Sequence, residues 1–235
     1  MIEEQVDAYQ EEETEEQTAA RKIAEQDVSI EAGIGKAALL IETVSGDPQI
    51  MEILTEKGYD ETVFTEGREF LATARSSFAS RAAAIAGQRY ASARLSGTQS
   101  AAEKAFTDFR MVARALFREE TEAFSALNLK DSLPRNRSQF IAKALTAIEN
   151  ARLEPYAERL ARFGYDEDGL AQVEQAVAAL ETADAGQNQL ISDAMTATAE
   201  RDAAWEALSS WVSQFRAVAK AVLRDQPDLV KILDV

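Results

Sequence analysis

Apolar residues recur along most of this chain at intervals of three and four, the spacing that places them on one face of a helix. From residue 17 to residue 45 this pattern predicts a helix whose apolar seam alternates by four and three, like that of a coiled coil. The seam consists of Ile30, Ile34, Ala37, Ile41 and Val44. Gly46 ends this helix, and a short helix to Lys57 follows, because Asp47 can cap it and Pro48 suits a first turn.

Two longer helices are predicted after Lys57. The first ends near Leu95 and carries an apolar stripe at seven-residue intervals. The stripe consists of Phe64, Leu71, Phe78 and Ile85. Ser96-Gly97-Thr98 predicts a tight turn, and a returning helix then covers about 99–127. The segment from Asn128 to Pro134 is the predicted linker to the rest of the chain.

The chain repeats itself at an offset of 106 residues. Gly58-Tyr59-Asp60-Glu61 recurs as Gly164-Tyr165-Asp166-Glu167, and Phe109-Arg110 recurs as Phe215-Arg216 with Val and Ala in the same following positions. The ranges 58–129 and 164–235 align without a gap, and 17 of the 72 aligned positions are identical. A fixed internal period of this kind indicates a duplicated structural unit.

These patterns together predict an all-α protein, an antiparallel helical bundle built from two tandem three-helix repeats with pseudo-two-fold symmetry. The expected organisation is an acidic N-terminal extension at 1–16, a first unit at 17–129 and a second at 130–235. Short connections between amphipathic helices favour antiparallel neighbours. One merged bundle and two separate bundles both agree with this pattern.

The amino-acid composition narrows the classes of partner and the location that we expect for the protein. The net charge of −16 argues against nucleic acid and anionic membranes as partners, because binding them needs a basic surface. The acidic, lysine-poor, alanine-rich composition is typical both of salt-adapted bacteria and of ordinary acidic proteins. The sequence has no signal-peptide pattern and no long apolar run, so we expect a cytoplasmic protein that does not enter the membrane.

Histidine and cysteine are both absent from the sequence. Disulfides and thiolate chemistry are therefore excluded, and the usual general base and commonest metal ligand are missing. No pair of carboxylates stands out among the 41 acidic residues. We therefore expect no catalytic residue, no cofactor and no dedicated metal site, and we expect the protein not to be an enzyme.

The repeated Gly-Tyr-Asp segment has a structural interpretation. Gly58 can adopt the left-handed conformation that ends a helix, Tyr59 can fold back on the last turn, and Asp60 can cap the next helix. The same roles are predicted for Gly164, Tyr165 and Asp166.

Five further positions are candidates for binding. Asp184 takes the place of the stripe residue Phe78 in the second copy, so it and Gln187 could form a polar pocket. Trp211 is a candidate oligomer contact, since tryptophan is enriched at interfaces. The repeated Arg110 and Arg216 could pair with carboxylates or bind an anionic ligand.

The Gly-Tyr-Asp and Phe-Arg-x-Val-Ala segments resemble those of uncharacterised bacterial helical proteins with a tandem duplication. In layout the chain is similar to the PhoU-like regulators, which consist of two three-helix units. The function we expect is a non-enzymatic cytoplasmic scaffold or protein-interaction module, with a protein partner or a second copy of the chain as its partner. The PhoU resemblance implies an alternative, a regulator that binds a divalent cation through carboxylates. A small-ligand-binding helical bundle is a further alternative.

Overall fold

The computed structural model describes residues 2–233 of the 235-residue chain, with the side chains of residues 17, 18 and 21–233. Over this range the chain forms eight α-helices and no strand, so the all-α prediction is confirmed. In chain order the helices are α1 (Ile2–Gly46), α2 (Pro48–Thr55), α3 (Glu61–Leu116), α4 (Thr121–Ala126), α5 (Arg137–Ala151), α6 (Tyr156–Ala161), α7 (Glu167–Val222) and α8 (Pro227–Ile232). The side chains of the predicted acidic extension lie outside the described part.

Short polar residues start the helices where the sequence predicts a break. Asp47 Oδ1 accepts hydrogen bonds from the backbone N–H groups of Gln49 and Ile50, at 2.9 and 3.1 Å. These bonds satisfy two of the free donors at the start of α2. Asn136 does the same for α5, since its side-chain oxygen accepts from the Gln139 N–H at 3.0 Å.

The predicted turn at Ser96-Gly97-Thr98 is wrong, because α3 runs unbroken through it for 56 residues. The Thr98 hydroxyl donates to the Arg94 carbonyl at 2.6 Å, so it bonds back into the helix instead of breaking it. Leu95 is buried in the core and anchors this stretch. The predicted pair of helices, one ending near Leu95 and one covering 99–127, is therefore a single long helix followed by the short α4.

The chain divides into two compact units. The units predicted at 17–129 and 130–235 are the repeated segments of the sequence, and that division stays a prediction. Unit 1 comprises residues 1–83 and 195–235, and unit 2 comprises residues 84–194. Both 56-residue helices contribute to both units, because α3 passes the boundary at residue 83 and α7 passes it at residue 194. Each unit therefore combines the beginning of one long helix with the end of the other.

In unit 1, the helices α1, α2 and α8 pack with the first part of α3 and the last part of α7. Phe64 of α3 contacts Phe215 of α7 edge to face, with ring centroids 5.3 Å apart. Further along α3, Arg81 bonds to Thr198 of α7. As residue numbers increase along α3, the numbers of the residues it contacts on α7 decrease, so the two helices are antiparallel within this unit. The predicted α1 seam lies in this core, where Ile30, Ile34, Ala37, Ile41 and Val44 are all buried.

In unit 2, the helices α4, α5 and α6 pack with the last part of α3 and the first part of α7. Phe106 of α3 meets Phe140 of α5 edge to face at 5.8 Å, and Phe109 meets Tyr165 at 5.3 Å. Leu95, Val177 and other apolar side chains complete this core. Unit 2 therefore has an apolar core of its own.

Candidate functional site

The two Gly-Tyr-Asp segments form the same turn. The φ angles of Gly58 and Gly164 are +86° and +84°, in the left-handed region that glycine adopts without strain. The Tyr59 N–H reaches back to the Leu54 carbonyl at 3.0 Å, and the second copy repeats this bond at 3.2 Å. This is the bonding that closes the end of a helix before a left-handed glycine.

The aspartates of these segments lie at the starts of the two long helices. Asp60 Oδ1 accepts hydrogen bonds from both the backbone N–H and the hydroxyl of Thr62. These bonds hold the pKa of the Asp60 carboxyl below its ordinary value of 3.8. Asp166 Oδ1 accepts from the Gly169 N–H at 2.9 Å. Because these bonds are local, we assign both segments to folding and not to ligand binding.

Asp184 and Gln187, the candidate polar pocket, each have a partner within unit 2. Asp184 Oδ1 accepts from Arg137 Nη1 at 2.5 Å, and its side chain is 22% exposed. Gln187 Nε2 donates to Ser92 Oγ at 2.9 Å. The structure thus places the two residues in separate polar contacts between helices.

Unit 1 holds a buried ionic cluster that sequence reasoning missed. Asp27 of α1 bridges two arginines, accepting from Arg81 Nη1 at 2.6 Å and also from Arg201 Nη1. The side chains of Arg81 and Arg201 are only 8% and 2% exposed. Asp202 provides Arg201 with a second carboxylate at 2.5 Å. The two guanidinium charges are thereby balanced where water is largely excluded.

One bond of this cluster has a counterpart in unit 2. Arg81 Nε donates to Thr198 Oγ1 at 3.2 Å. Adding 106 to Arg81 gives Gln187, and subtracting 106 from Thr198 gives Ser92, the pair bonded in unit 2. The same contact between α3 and α7 is therefore charged in one unit and neutral in the other.

Both tryptophans pack against glycines of unit 1. A Cβ added at Gly33 would lie 2.1 Å from Trp205 Cη2, and one added at Gly67 would lie 2.4 Å from the Trp211 ring. Trp211 also stacks on Phe215 at 5.3 Å and is only 9% exposed. The predicted role of Trp211 in an oligomer contact therefore does not agree with its place in the core.

The outer face of α1 carries apolar residues that the core does not use. Val28 and Leu39 are 67% and 49% exposed, and the small residues Ala32 and Gly35 lie exposed between them. The spacing of 28, 32, 35 and 39 is four, three and four, which aligns them in a stripe. We call these four residues the α1 stripe. Its spacing was readable from the sequence, but its exposure was not.

Within the described residues, no group of three or more acidic side chains is placed to hold a metal ion. Over the same part of the chain, no helix combines the length and apolar character needed to span a bilayer. A comparison of the chain with models of known protein families, with curated proteins and with solved structures finds no match.

Proposed function

We propose that the protein is a non-enzymatic helical interaction module of the cytoplasm, made by tandem duplication, and that it pairs with a second copy of itself through the α1 stripe. The observation that carries this proposal is that α1 has two apolar faces. The face with Ile34 and Ile41 is buried in unit 1, whereas the opposite face with Val28 and Leu39 is exposed. A helix that is apolar on both sides favours a partner on each side.

Duplication is supported by the positions of the helices. Adding 106 to the bounds of α3 and α4 gives the bounds of α7 and α8. The left-handed glycines and the bonds from Arg81 and Gln187 follow the same offset. On this basis the duplicated element is α1–α4, repeated as α5–α8 with pseudo-two-fold symmetry, and each compact unit draws on both copies.

The α1 stripe is complementary to itself. A second α1 laid antiparallel, with a two-fold axis at the middle of the stripe, gives two kinds of matched pair, Val28–Leu39 and Ala32–Gly35. Apolar residues then meet apolar residues, and small residues allow close approach of the two helices.

Salt should strengthen this pairing. Glu25 and Glu42 would face each other in the same arrangement, and each chain carries a net charge of −16. The repulsion between these glutamates and the repulsion between the two net charges both oppose association of two copies at low ionic strength. Because salt screens repulsion between exposed charges, the dimer should form more readily in 0.5 M NaCl than in 0.02 M NaCl.

Light scattering coupled to size-exclusion chromatography tests the proposal. We expect a mass approaching twice the 25.7 kDa of one chain at high protein concentration and high salt. Leu39→Glu should shift the mass to that of one chain, because it places a charge in the stripe. Leu153→Glu is the matched control, since Leu153 is 58% exposed in unit 2 and lies outside the stripe. A single-chain mass for the unmodified protein under all conditions would overturn the proposal.

A further inference from the structure

Unit 2 contains a cavity of about 90 Å³ beside the segment that joins α4 to α5. One water molecule occupies about 30 Å³ in the liquid, so the cavity is large enough for one phosphate-sized anion. Aromatic and aliphatic side chains form part of its wall. Its polar lining includes Arg110, Lys130, Lys143, Asp131, Ser125 and Ser132.

Arg110 is the buried charge of this cavity. The residue is only 6% exposed, and its Nε is a buried donor with no hydrogen-bond partner in the described structure. Its Nη2 donates to the backbone carbonyl of Asp131, and its guanidinium carbon lies 5.9 Å from the centre of the Phe106 ring. These contacts hold the guanidinium in place, and its buried Nε stays without an acceptor. A buried guanidinium without a carboxylate partner is uncommon, and its charge favours an anion nearby.

The local charge is positive in a protein that is strongly acidic overall. Arg110, Lys130 and Lys143 line the cavity against a single carboxylate, that of Asp131. None of these three cations forms an ion pair with another described residue. Burial lowers the pKa of Arg110, and the neighbouring Arg114 lowers it further, whereas Asp131 raises it. An anion in the cavity would offset both unfavourable effects.

We propose that this cavity binds a small, doubly charged oxyanion, with buried Arg110 and exposed Lys130 and Lys143 as its cations. Guanidinium and ammonium groups are the usual partners of phosphate oxygens, and the hydroxyls of Ser125 and Ser132 are additional donors. The site belongs to unit 2 alone. The residue 106 positions before Lys143 is Ala37, which is buried in the core of unit 1. The inference is independent of the pairing proposed for α1.

Calorimetric titration of the full chain with inorganic phosphate at low ionic strength tests the proposal. We expect saturable binding of one phosphate per chain, with sulfate binding comparably and acetate at least about tenfold more weakly. Lys143→Gln should weaken phosphate binding by about tenfold, since it removes one charge-assisted hydrogen bond. Lys57→Gln removes one exposed positive charge in unit 1 and should leave the affinity unchanged within about twofold.

Arg110→Gln should abolish saturable binding, and its circular dichroism shows whether the variant is folded. If that variant does not fold, the comparison of Lys143→Gln with Lys57→Gln still decides the question, because both positions are exposed. Three results would overturn the proposal. They are the absence of saturable phosphate binding, equal affinities in the two lysine variants, and acetate binding as tightly as phosphate.

Discussion

Asp27 in unit 1 and Asp184 in unit 2 are similarly exposed, with 27% and 22% of their side chains accessible to solvent. Their arginine partners differ. Arg81 and Arg201 beside Asp27 are almost fully buried, whereas Arg137 beside Asp184 is 39% exposed. A buried guanidinium that loses its carboxylate has little water to replace it. The burial of the partner, more than that of the aspartate, therefore decides how much each ion pair matters.

The two units also differ in the kind of side chain that they bury at one equivalent position. Arg201 in unit 1 and Leu95 in unit 2 are 106 residues apart and are 1% and 2% exposed. Where unit 2 uses an apolar side chain, unit 1 uses an arginine that needs Asp27 and Asp202. Unit 1 thus depends on paired charges at a position where unit 2 does not.

The largest effect we predict follows from removing the carboxylate between the two buried arginines. Asp27→Ala should lower the free energy of unfolding of unit 1 by about 3–5 kcal/mol, the usual cost of breaking a buried ion pair from one side. Urea unfolding followed by tryptophan fluorescence measures this, because Trp205 and Trp211 both belong to unit 1. A loss below about 1 kcal/mol would show that the arginines do not depend on Asp27.

The next largest effect we predict follows from disturbing the contact between α1 and Trp205. Gly33→Ala should destabilise unit 1 by about 1–3 kcal/mol, because the added methyl group would overlap the indole ring. Gly35→Ala is the matched control two residues away, with nothing within 4 Å of the added atom. Both variants are compared in 0.02 M NaCl, where repulsion between the chains opposes pairing through the α1 stripe. That control should gain up to about 1 kcal/mol from better helix propensity. Equal effects of the two changes on urea unfolding would contradict the close packing.

A smaller effect is expected at the ion pair of unit 2. Asp184→Ala should cost no more than about 1 kcal/mol, because its arginine remains partly solvated and also bonds to Gln99. Urea unfolding followed by circular dichroism provides the measurement. If this loss equalled that of Asp27→Ala, the contrast between the two units would fail.

The smallest predicted effect concerns the contribution of Asp60 to stability at low pH. The folded-state pKa of Asp60 is lowered by the bonds from Thr62, so its stabilising contribution is present above its ordinary value of 3.8 and is lost as the pH falls below it. NMR titration of the Asp60 carboxyl should therefore give a pKa below 3.8. Thr62→Ala should raise that value, and an unchanged value would rule out the capping bonds as its cause.

The sequence predicted best those features that local chemistry determines. Gly58 and Asp60 sit in a turn whose conformation each residue type favours, so the end of one helix and the start of the next could be located. The turn predicted at Ser96-Gly97-Thr98 was wrong, because serine and threonine hydroxyls can donate to a carbonyl of the preceding helical turn as well as stabilise a turn outside a helix. The second copy has Asp202-Ala203-Ala204 at these positions, without a turn signal, and it was the better guide.

The ion cluster and the cavity could not be predicted, because they join residues that are far apart in sequence. Asp27 and Arg201 are separated by 174 positions, and in a chain with 28% charged residues neither stands out. The cavity depends on where the segment around Asp131 lies against Arg110, which no periodicity encodes. The repeat made Arg110 visible in the sequence, but only its burial and its place beside the cavity single it out.

The claim that the α1 stripe joins two copies is tested most directly by cross-linking. The chain has no cysteine, so Ala32→Cys combined with Gly35→Cys introduces the only thiols, in the middle of the stripe. Mild oxidation at high salt should convert this variant to a covalent dimer, whereas Leu153→Cys should remain monomeric. A stripe variant that stays monomeric, or that cross-links no faster than the Leu153 control, would contradict the pairing.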